Sequence, residues 1–554
     1  MSVLRPLPRS ITRPLSILVL IAWAGVMAVL VNRSYLQASS TLATDLARYG
    51  STALWRGVYY RGEKIGFTVS QTVPRGDGFD LEEDGRLQMA LLGATTAATI
   101  RTTAHVDKNF ALRAFEFSLD PGTGPIEVSG TITTAGASGD PQRVAPHNGD
   151  KVALHVAVKT ASGTRTEDRL LDEPPALSLN LSRRLANGGL VAGARHRWTV
   201  FDPATLHNAP VVVDVGKREL VSDSGRPVPA FRVEMEFSGL RTTSWVTDTG
   251  DVVREESPLG LITVREPAER ARAMAVPDKV QRDLYDAAAV VPDGRERIDE
   301  PRDVRRLRVR LDGVDLSSAD LDGVSQTATR TSATTTVEIV DPRTLTARDG
   351  DPGAGTYLLP EPLIESDDPT IVAEARRAIG DLSGRRAQAE RLTRFVNGLL
   401  EKKPTVSIPS AREVLRTRVG DCNEHTALFV AMARAVGIPS RIAVGLVFVR
   451  GAFYYHAWPE VYIEERRGRG LWLPVDPTLN QFPADATHLR LARGGLEKQA
   501  AILPLIGRLK MRVLDVDVTP GTRRVLAGAT PAVADLGTIA IPLPSRKTCC
   551  ACSK

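Results

Sequence analysis

The chain has 554 residues, which is enough for about three or four domains. Hydrophobic residues make up 42% and charged residues 25%, which are globular values that exclude a disordered chain and a polytopic membrane protein. The 71 basic and 65 acidic residues are scattered, without a lysine or arginine block or interleaved aromatics, so nucleic acid is excluded as a partner.

The first informative segment is an apolar run at residues 15–31, preceded by Arg5, Arg9 and Arg13. A membrane-spanning helix needs about 17 to 25 apolar residues, and flanking basic residues stay cytoplasmic. Residues 1–36 therefore predict a single-pass anchor in the inner (plasma) membrane, with the body on the periplasmic or extracytoplasmic side. A cleaved signal peptide is the alternative, but no clear cleavage site follows the run directly.

Short alternating runs with turn signals between them fill the chain from about residue 54 to residue 264. At residues 231–237, for example, apolar residues alternate with arginine and glutamate, which is the period of a strand with one wet face. One short helix is predicted around residues 176–190. We therefore expect an antiparallel β-rich region over residues 45–275.

Two similar hexapeptides suggest an internal repeat in this region. Residues 101–106 read RTTAHV and residues 241–246 read RTTSWV, 140 residues further on. The pair supports the hypothesis of two related β-units, packed as barrels or sandwiches.

The second half of the chain changes character. A charged, proline-bounded segment at residues 276–302 predicts a linker, and strand-like runs follow within residues 303–355. Apolar residues then recur at helical spacing, which begins an α+β domain assigned to residues 356–493. Residues 494–554 end in Thr/Pro/Ala/Gly-rich sequence and are predicted to form a partly disordered tail.

The cysteines are unevenly placed: Cys422 lies inside the body, while Cys549, Cys550 and Cys552 crowd the C-terminus. This layout excludes a disulfide framework. An unpaired thiol in an oxidising compartment indicates reactivity. The terminal cysteines have no histidine nearby and no metal-ligand spacing, so we predict no metal there.

Cys422 stands at the predicted start of an apolar helix. The positive end of a helix favours an anion, so we expect a thiolate with a pKa below the free value. A small core residue is the alternative for an isolated cysteine. Asp421 is the expected N-cap and Glu424 a capping charge. His425, one helical turn after Cys422, is predicted to face solvent, with a contact to the site as the alternative.

His456 begins one predicted strand, and Asp476 ends the next, where Pro477 stops it. A hairpin through residues 464–470 would place the Asp476 carboxylate against the His456 ring and fix its tautomer. The free imidazole nitrogen would then face Cys422 and form a thiolate–imidazolium pair.

These three blocks together resemble the transglutaminase-like superfamily, and in particular its bacterial, envelope-associated members. The resemblance covers roughly residues 370–485. It implies a papain-like α+β fold in which Cys422 is the nucleophile, His456 the base and Asp476 the orienting acid. The blocks are Gly420-Asp421-Cys422 with a Gly-Ile-Pro-x-Arg helix end, His456-Ala457-Trp458-x-Glu460-Val461-Tyr462, and Trp472-x-x-Val475-Asp476-Pro477-Thr478.

Other positions near the site stay open. Trp458 is a candidate substrate-binding wall, with a packed aromatic as the alternative, and the upstream oxyanion donor is unassigned. No metal or cofactor is expected, because the remaining histidines have no partners at metal-ligand spacing. These are His105, His147, His155, His196, His207 and His488.

The leading hypothesis is thiol-dependent acyl transfer on a protein or peptide amide, by a cysteine protease, an amidase or a transglutaminase. Hydrolysis is preferred because no acceptor pocket is identifiable. The alternative is a non-catalytic envelope scaffold or peptide-binding protein, which the large β-rich part motivates. The sequence leaves the substrate identity and the oligomeric state open.

Overall fold

The computed structural model describes most of the chain between residues 52 and 519. The predicted membrane anchor in residues 1–36 and the three C-terminal cysteines lie outside the described residues. No helix within the described ranges is long and apolar enough to cross a membrane. The described residues are 52–519 without 92–93, 135–151, 238, 258–259, 275–287, 332–333, 405–406, 467, 496–497, 499–501 and 506.

The β-rich region forms one antiparallel sheet of fourteen strands, in the order β8-β7-β6-β5-β4-β3-β2-β1-β14-β13-β12-β11-β10-β9. The alternation predicted at residues 231–237 lies in β11, where Val233 is buried and Phe231, Met235 and Phe237 pack against the same core. The strands are β1 Leu54–Tyr60, β2 Glu63–Pro74, β3 Gly78–Leu91, β4 Ala94–Asp107, β5 Leu112–Asp120, β6 Ile126–Thr134, β7 Val152–Thr160, β8 Gly163–Leu171, β9 Arg195–Asp202, β10 His207–Asp223, β11 Arg226–Phe237, β12 Leu240–Val246, β13 Val252–Glu256 and β14 Leu261–Arg265.

Helix α1, Ser178–Ala186, holds the two halves of this sheet together. Leu177, just before the helix, packs in the core of β3 to β7, whereas Leu181 and Leu185 pack in the core of β10 to β12. These three leucines are four residues apart and therefore lie along one side of the helix. The N-terminal end of that side packs in one core, and the rest of it packs in the other. A second short helix, α2 Ala268–Arg272, follows β14 and packs against β1 and β2.

The two similar hexapeptides lie at equivalent places in this sheet. Thr103 in β4 is paired with Glu116 in β5, and Thr243 in β12 is paired with Glu256 in β13. Both pairs differ by the same 140 positions as the hexapeptides. All fourteen strands nevertheless belong to one continuous sheet, and the duplication stays a prediction.

A second antiparallel sheet has four strands, in the order β16-β17-β15-β25. Its last strand, β25, lies within the segment assigned to the tail and pairs along the whole of β15. Sequence analysis missed this strand, although its apolar residues Met511, Val513 and Val516 are buried in the core. The strands are β15 Val304–Asp312, β16 Gln326–Arg330, β17 Thr335–Val340 and β25 Lys510–Val518.

The predicted α+β part contains a five-stranded antiparallel sheet, in the order β18-β23-β22-β21-β24. One face packs on the helices and the other on the four-stranded sheet. The central helix α6 contacts the other three helices and strands β21 and β22. The elements are α3 Pro369–Ile379, α4 Arg385–Leu399, α5 Ala411–Thr417, α6 Cys422–Ala435, β18 Arg348–Asp349, β19 Glu401–Lys402, β20 Val419–Gly420, β21 Ser440–Val449, β22 Ala452–Arg466, β23 Arg469–Pro474 and β24 Leu489–Arg493.

The fourteen-stranded sheet contacts the segment that leads to Cys422. Ile408 is buried among apolar side chains of that sheet and of α1. The Ser162 hydroxyl donates to Glu413 at 3.1 Å, and Arg165 pairs with Asp367 at 2.8 Å. The β-rich region therefore buttresses the chain just before helix α6.

Candidate active site

Helix α6 begins with a capping box, which fixes the position of Cys422. The Asp421 carboxylate accepts from the Asn423 N–H at 2.9 Å, and Glu424 accepts from the Asp421 N–H at 2.8 Å. A Cβ at Gly420 would lie 2.2 Å from the Glu424 Cβ, so only glycine permits this close approach. The predicted capping roles of Asp421 and Glu424 are thus observed.

Cys422 is partly buried and packs against an apolar core. Burial raises the pKa of its thiol well above the free value, and the charge of Asp421 raises it further, although a hydrogen bond from the Ala457 N–H opposes both. The expectation of a lowered pKa was therefore wrong. Desolvation and the acidic neighbours outweigh the favourable helix terminus, whose effect is modest.

His456 and Asp476 meet across the predicted hairpin. Strands β22 and β23 are antiparallel, and Asp476 follows the end of β23. His456 Nε2 donates to Asp476 Oδ2 at 2.8 Å, while the Leu479 N–H donates to Oδ1 at 2.8 Å. One detail differs from the prediction, because β22 starts at Ala452 and His456 lies inside the strand.

The buried carboxylate of Asp476 is held in its ionised form. Burial alone would raise its pKa, but the charge and hydrogen bond of His456, followed by those of His488, keep that pKa far below its usual range. Because Nε2 of His456 is used by Asp476, Nδ1 is the nitrogen left for another partner. The helix that begins at Cys422 contacts the next residue along the strand, because the Thr426 hydroxyl donates to the Ala457 carbonyl oxygen at 3.1 Å.

His488, to which sequence analysis gave no role, belongs to this cluster. Its Nε2 lies 3.1 Å from Asp476 Oδ2, and its Nδ1 lies 3.3 Å from Asp485 Oδ1. Burial would lower the pKa of His488, but the hydrogen bonds to the two carboxylates raise it to about 9. Its contact with Asp485, three residues earlier, could have been predicted from the local sequence. No sequence spacing indicated the contact with Asp476.

His456, Asp476 and His488 also have potential metal-ligand atoms within 4.8 Å of one another. Both imidazoles lie at hydrogen-bond distance from the same oxygen, Asp476 Oδ2. Two N–H donors on one carboxylate oxygen account for this arrangement.

Trp458 is buried and stacks on the His456 ring, with centroids 6.1 Å apart and an interplanar angle of 20°. It also meets His488 edge-on at 5.2 Å. The tryptophan therefore supports both imidazoles, and its contact with substrate stays a prediction.

His425 was predicted to face solvent, and this was wrong. The residue is fully buried, because α6 is the central helix and its residues from Glu424 to Arg434 are all covered. Its Nδ1 lies 2.7 Å from the Asp421 carbonyl oxygen, and burial lowers its pKa. Among the described residues, its Nε2 has no hydrogen-bond partner.

A cluster of buried charges lies on the same strand as His456. Glu460 pairs with Arg441 at 2.7 Å, Arg490 at 2.9 Å and Arg493 at 3.2 Å. Burial would raise the pKa of Glu460, but the charges of Arg490, Arg441 and Arg493 lower it to about 2. This cluster ties β22 to β21 and β24, and so stabilises the strand that carries the histidine.

Comparison with models of known protein families identifies the family of this domain. The model of the transglutaminase-like superfamily matches residues 373–477, a range that holds Cys422, His456 and Asp476. Residues 373–477 form a transglutaminase-like domain. The superfamily is one of thiol-dependent hydrolases and transferases. Its match ends before His488.

Solved structures overlap parts of the chain. A candidate cysteine protease from Cytophaga hutchinsonii is 18% identical, with 39% of this chain and 90% of that chain covered and a TM-score of 0.26. A TGase is 15% identical, with 30% and 48% covered and a TM-score of 0.17. A β-barrel-like protein of unknown function from Brucella abortus is 14% identical, with 39% and 96% covered and a TM-score of 0.28. No curated protein matches the chain.

Proposed function

We propose that the transglutaminase-like domain catalyses acyl transfer on amide or peptide bonds, with Cys422, His456 and Asp476 as its catalytic triad. One observation carries the proposal: His456 donates to the buried Asp476 at 2.8 Å, and the next residue of the same strand, Ala457, accepts at 3.1 Å from Thr426 on the helix that begins at Cys422. A base oriented by a third group, next to a nucleophile, is the arrangement that activates thiols.

The raised pKa of Cys422 makes the neutral thiol its resting form. In the proposed mechanism Nδ1 of His456 accepts the thiol proton as Sγ attacks the amide carbonyl. The Asp476 carboxylate stabilises the imidazolium that forms, which then protonates the departing amine. The thioester passes its acyl group to water or to an amine acceptor.

The oxyanion needs N–H donors at the position where charge develops. The backbone N–H of Cys422 is at the first residue of α6, where no intrahelical partner exists. We assign it as one donor of the oxyanion hole.

We favour hydrolysis over amine transfer, with a protein or peptide as the substrate. We also propose that the domain acts outside the cytoplasm, in the cell envelope. The support for this location is the apolar run at residues 15–31 with its preceding arginines.

Peptide hydrolysis and amine incorporation, measured side by side on the full-length protein in detergent, test the proposal. The reference protein carries serine at positions 549, 550 and 552, so that Cys422 is the one thiol left. Cys422→Ala in this background should abolish both turnover and labelling by a thiol probe. Turnover that survives in the Cys422→Ala protein would contradict the triad, and incorporation without hydrolysis would reverse the preference for water.

A further inference from the structure

His488 makes contacts that a catalytic triad does not require. Its Nε2 reaches the oxygen of Asp476 that also accepts from His456, at 3.1 Å and 2.8 Å respectively. Its Nδ1 faces Asp485, with the carboxylate oxygen at 3.3 Å and the backbone carbonyl oxygen at 3.2 Å. Both ring nitrogens therefore face acceptors, and both must carry a proton to satisfy them.

The surroundings of His488 keep its ring positively charged near neutral pH. The side chains of His488, Asp476 and Asp485 are 2%, 0% and 3% exposed, so water cannot replace the ion pairs. The pKa of about 9 for His488 agrees with this geometry.

Other charged groups lie around the ring as well. Glu460 and Arg490, an ion pair, line the same small cavity as His488. The charges of Arg343 and Asp485 also interact. Glu460 is paired with three arginines, two of which also pair with Asp320, whereas His488 is hydrogen-bonded to Asp476 itself.

The two histidines compete for one carboxylate. Their ring centroids are 6.0 Å apart, close enough for two positive imidazoles to repel each other in a buried site. Because both rings share Asp476 Oδ2, the imidazolium that forms when His456 takes the thiol proton lies close to the positive charge of His488.

We propose that His488 is a positioning residue that acts through Asp476: as a buried cation it shares the carboxylate with His456 and sets the pH range in which the Cys422–His456 pair reacts. The inference rests on the proposed function, and it adds a fourth group to the triad.

Alkylation of Cys422 by iodoacetamide across a pH series tests this without a known substrate. The protein is the full-length chain with its three tail cysteines replaced by serine, compared with its His488→Gln variant. Glutamine keeps an N–H donor for Asp476 but removes the charge. Without the cation, each inflection of the alkylation profile that belongs to the Cys422–His456 pair should move to higher pH, by about one to two pH units.

Two further variants separate the possible failures. His105→Gln is the matched control, because His105 also lies between two carboxylates but on the fourteen-stranded sheet, and its profile should equal that of the reference. His456→Asn should leave a single rise in the alkylation rate at alkaline pH, where the Cys422 thiol ionises by itself. If it does not, the proposed function itself fails.

A purely structural role for His488 would lower the alkylation rate of His488→Gln at every pH without moving the inflections, and this outcome would overturn the inference. A stoichiometric metal ion in the reference protein that is lost in His488→Gln would also overturn it, because His488 would then be a ligand and not a cation.

A measurement on a protein with native His488 covers the case in which His488→Gln does not fold. In the His105→Gln background, NMR of protein with labelled histidine should show one histidine that keeps both ring protons up to about pH 9. A spectrum in which every histidine is neutral at pH 8 would refute the proposal.

Discussion

Two histidines in different parts of the molecule have the same local chemistry and different surroundings. His105, in the fourteen-stranded sheet, lies 2.9 Å from Asp80 and 3.1 Å from Asp77, and its side chain is 31% exposed. His488 also lies between two carboxylates, but its side chain is 2% exposed. The pKa of His105 is raised, first by its hydrogen bond to Asp80, while that of His488 rises to about 9. Both histidines are paired with carboxylates, so the difference between them is burial. We infer that burial couples the charge of His488 to the proposed catalytic residues.

The same contrast separates two sets of ion pairs, one in each region. Many pairs on the fourteen-stranded sheet, such as Lys159 with Glu127, are open to solvent. Exposed pairs contribute little because water and salt screen them. Glu460 with its arginines is buried, and breaking a buried pair is costly because it leaves an uncompensated charge.

The largest effect is expected from a change of Asp476, the buried carboxylate that accepts from both imidazoles. Asp476→Asn should lower turnover by about 10²- to 10⁴-fold, because the amide no longer stabilises the imidazolium or fixes the His456 tautomer. Steady-state kinetics on the substrate found in the hydrolysis assay measure this. The matched change on the fourteen-stranded sheet, Asp80→Asn, should leave turnover unchanged. Equal losses in the two variants would break the comparison.

The next effect concerns stability and its dependence on pH. The pKa of Glu460 is about 2 in the folded protein against an ordinary value of 4.5, so the stability that its charge contributes is fully present above about pH 4.5 and is lost as pH falls towards 2. The shift corresponds to roughly 3 kcal/mol. The free energy of unfolding of Glu460→Gln should be lower by about this amount at pH 7. On acidification it should fall less steeply than that of the wild type.

Urea unfolding at pH 7 and at pH 3.5 measures both quantities. Glu127→Gln, which removes the exposed partner of Lys159, serves as the control and should match the wild type. A Glu460→Gln protein as stable as the wild type at pH 7 would show that the arginine cluster does not stabilise the site.

A smaller effect tests the contact between the two regions. Ile408→Val deletes one buried methylene and should cost about 1 kcal/mol. Hydrogen exchange should increase both in the sheet core around Ile408 and in the segment before Cys422. Leu170→Ala, on an exposed position of β8, should change neither. Faster exchange on one side alone would show that the regions are not coupled through Ile408.

The smallest effect sharpens the role of Trp458. Trp458→Phe keeps an aromatic ring on His456, and the indole Nε1 has no hydrogen-bond partner among the described residues. Stability should therefore change by less than about 1 kcal/mol, and turnover by only a few-fold. A large rise in KM with an unchanged kcat would instead assign Trp458 to substrate binding.

Local sequence predicted a large part of the fold and of the site. The alternation at residues 231–237 predicted a strand that is present in β11, and the short helix predicted around residues 176–190 is present as α1. The capping residues around Cys422 and the hairpin that joins His456 to Asp476 were also predicted. Each of these features depends on residues close together in the chain, where periodicity, capping and turn chemistry act.

Other features depended on distant parts of the chain. β25 pairs with β15 across about 200 residues, so its place in the fold could not be read from its own segment. His425 is buried because three helices and a sheet surround α6, a property of packing and not of its position on the helix. The same packing raised the pKa of Cys422 against the expectation from the helix terminus.

The sequence by itself singled out the groups that we propose carry the chemistry: Cys422, His456 and Asp476, at spacings that place a thiol at a helix start and an imidazole on a hairpin. Only the tertiary structure decided that His488 joins them and that water is excluded around its ion pairs. The physical reason is that pattern and spacing describe neighbours along the chain, whereas desolvation depends on everything that folds over a group.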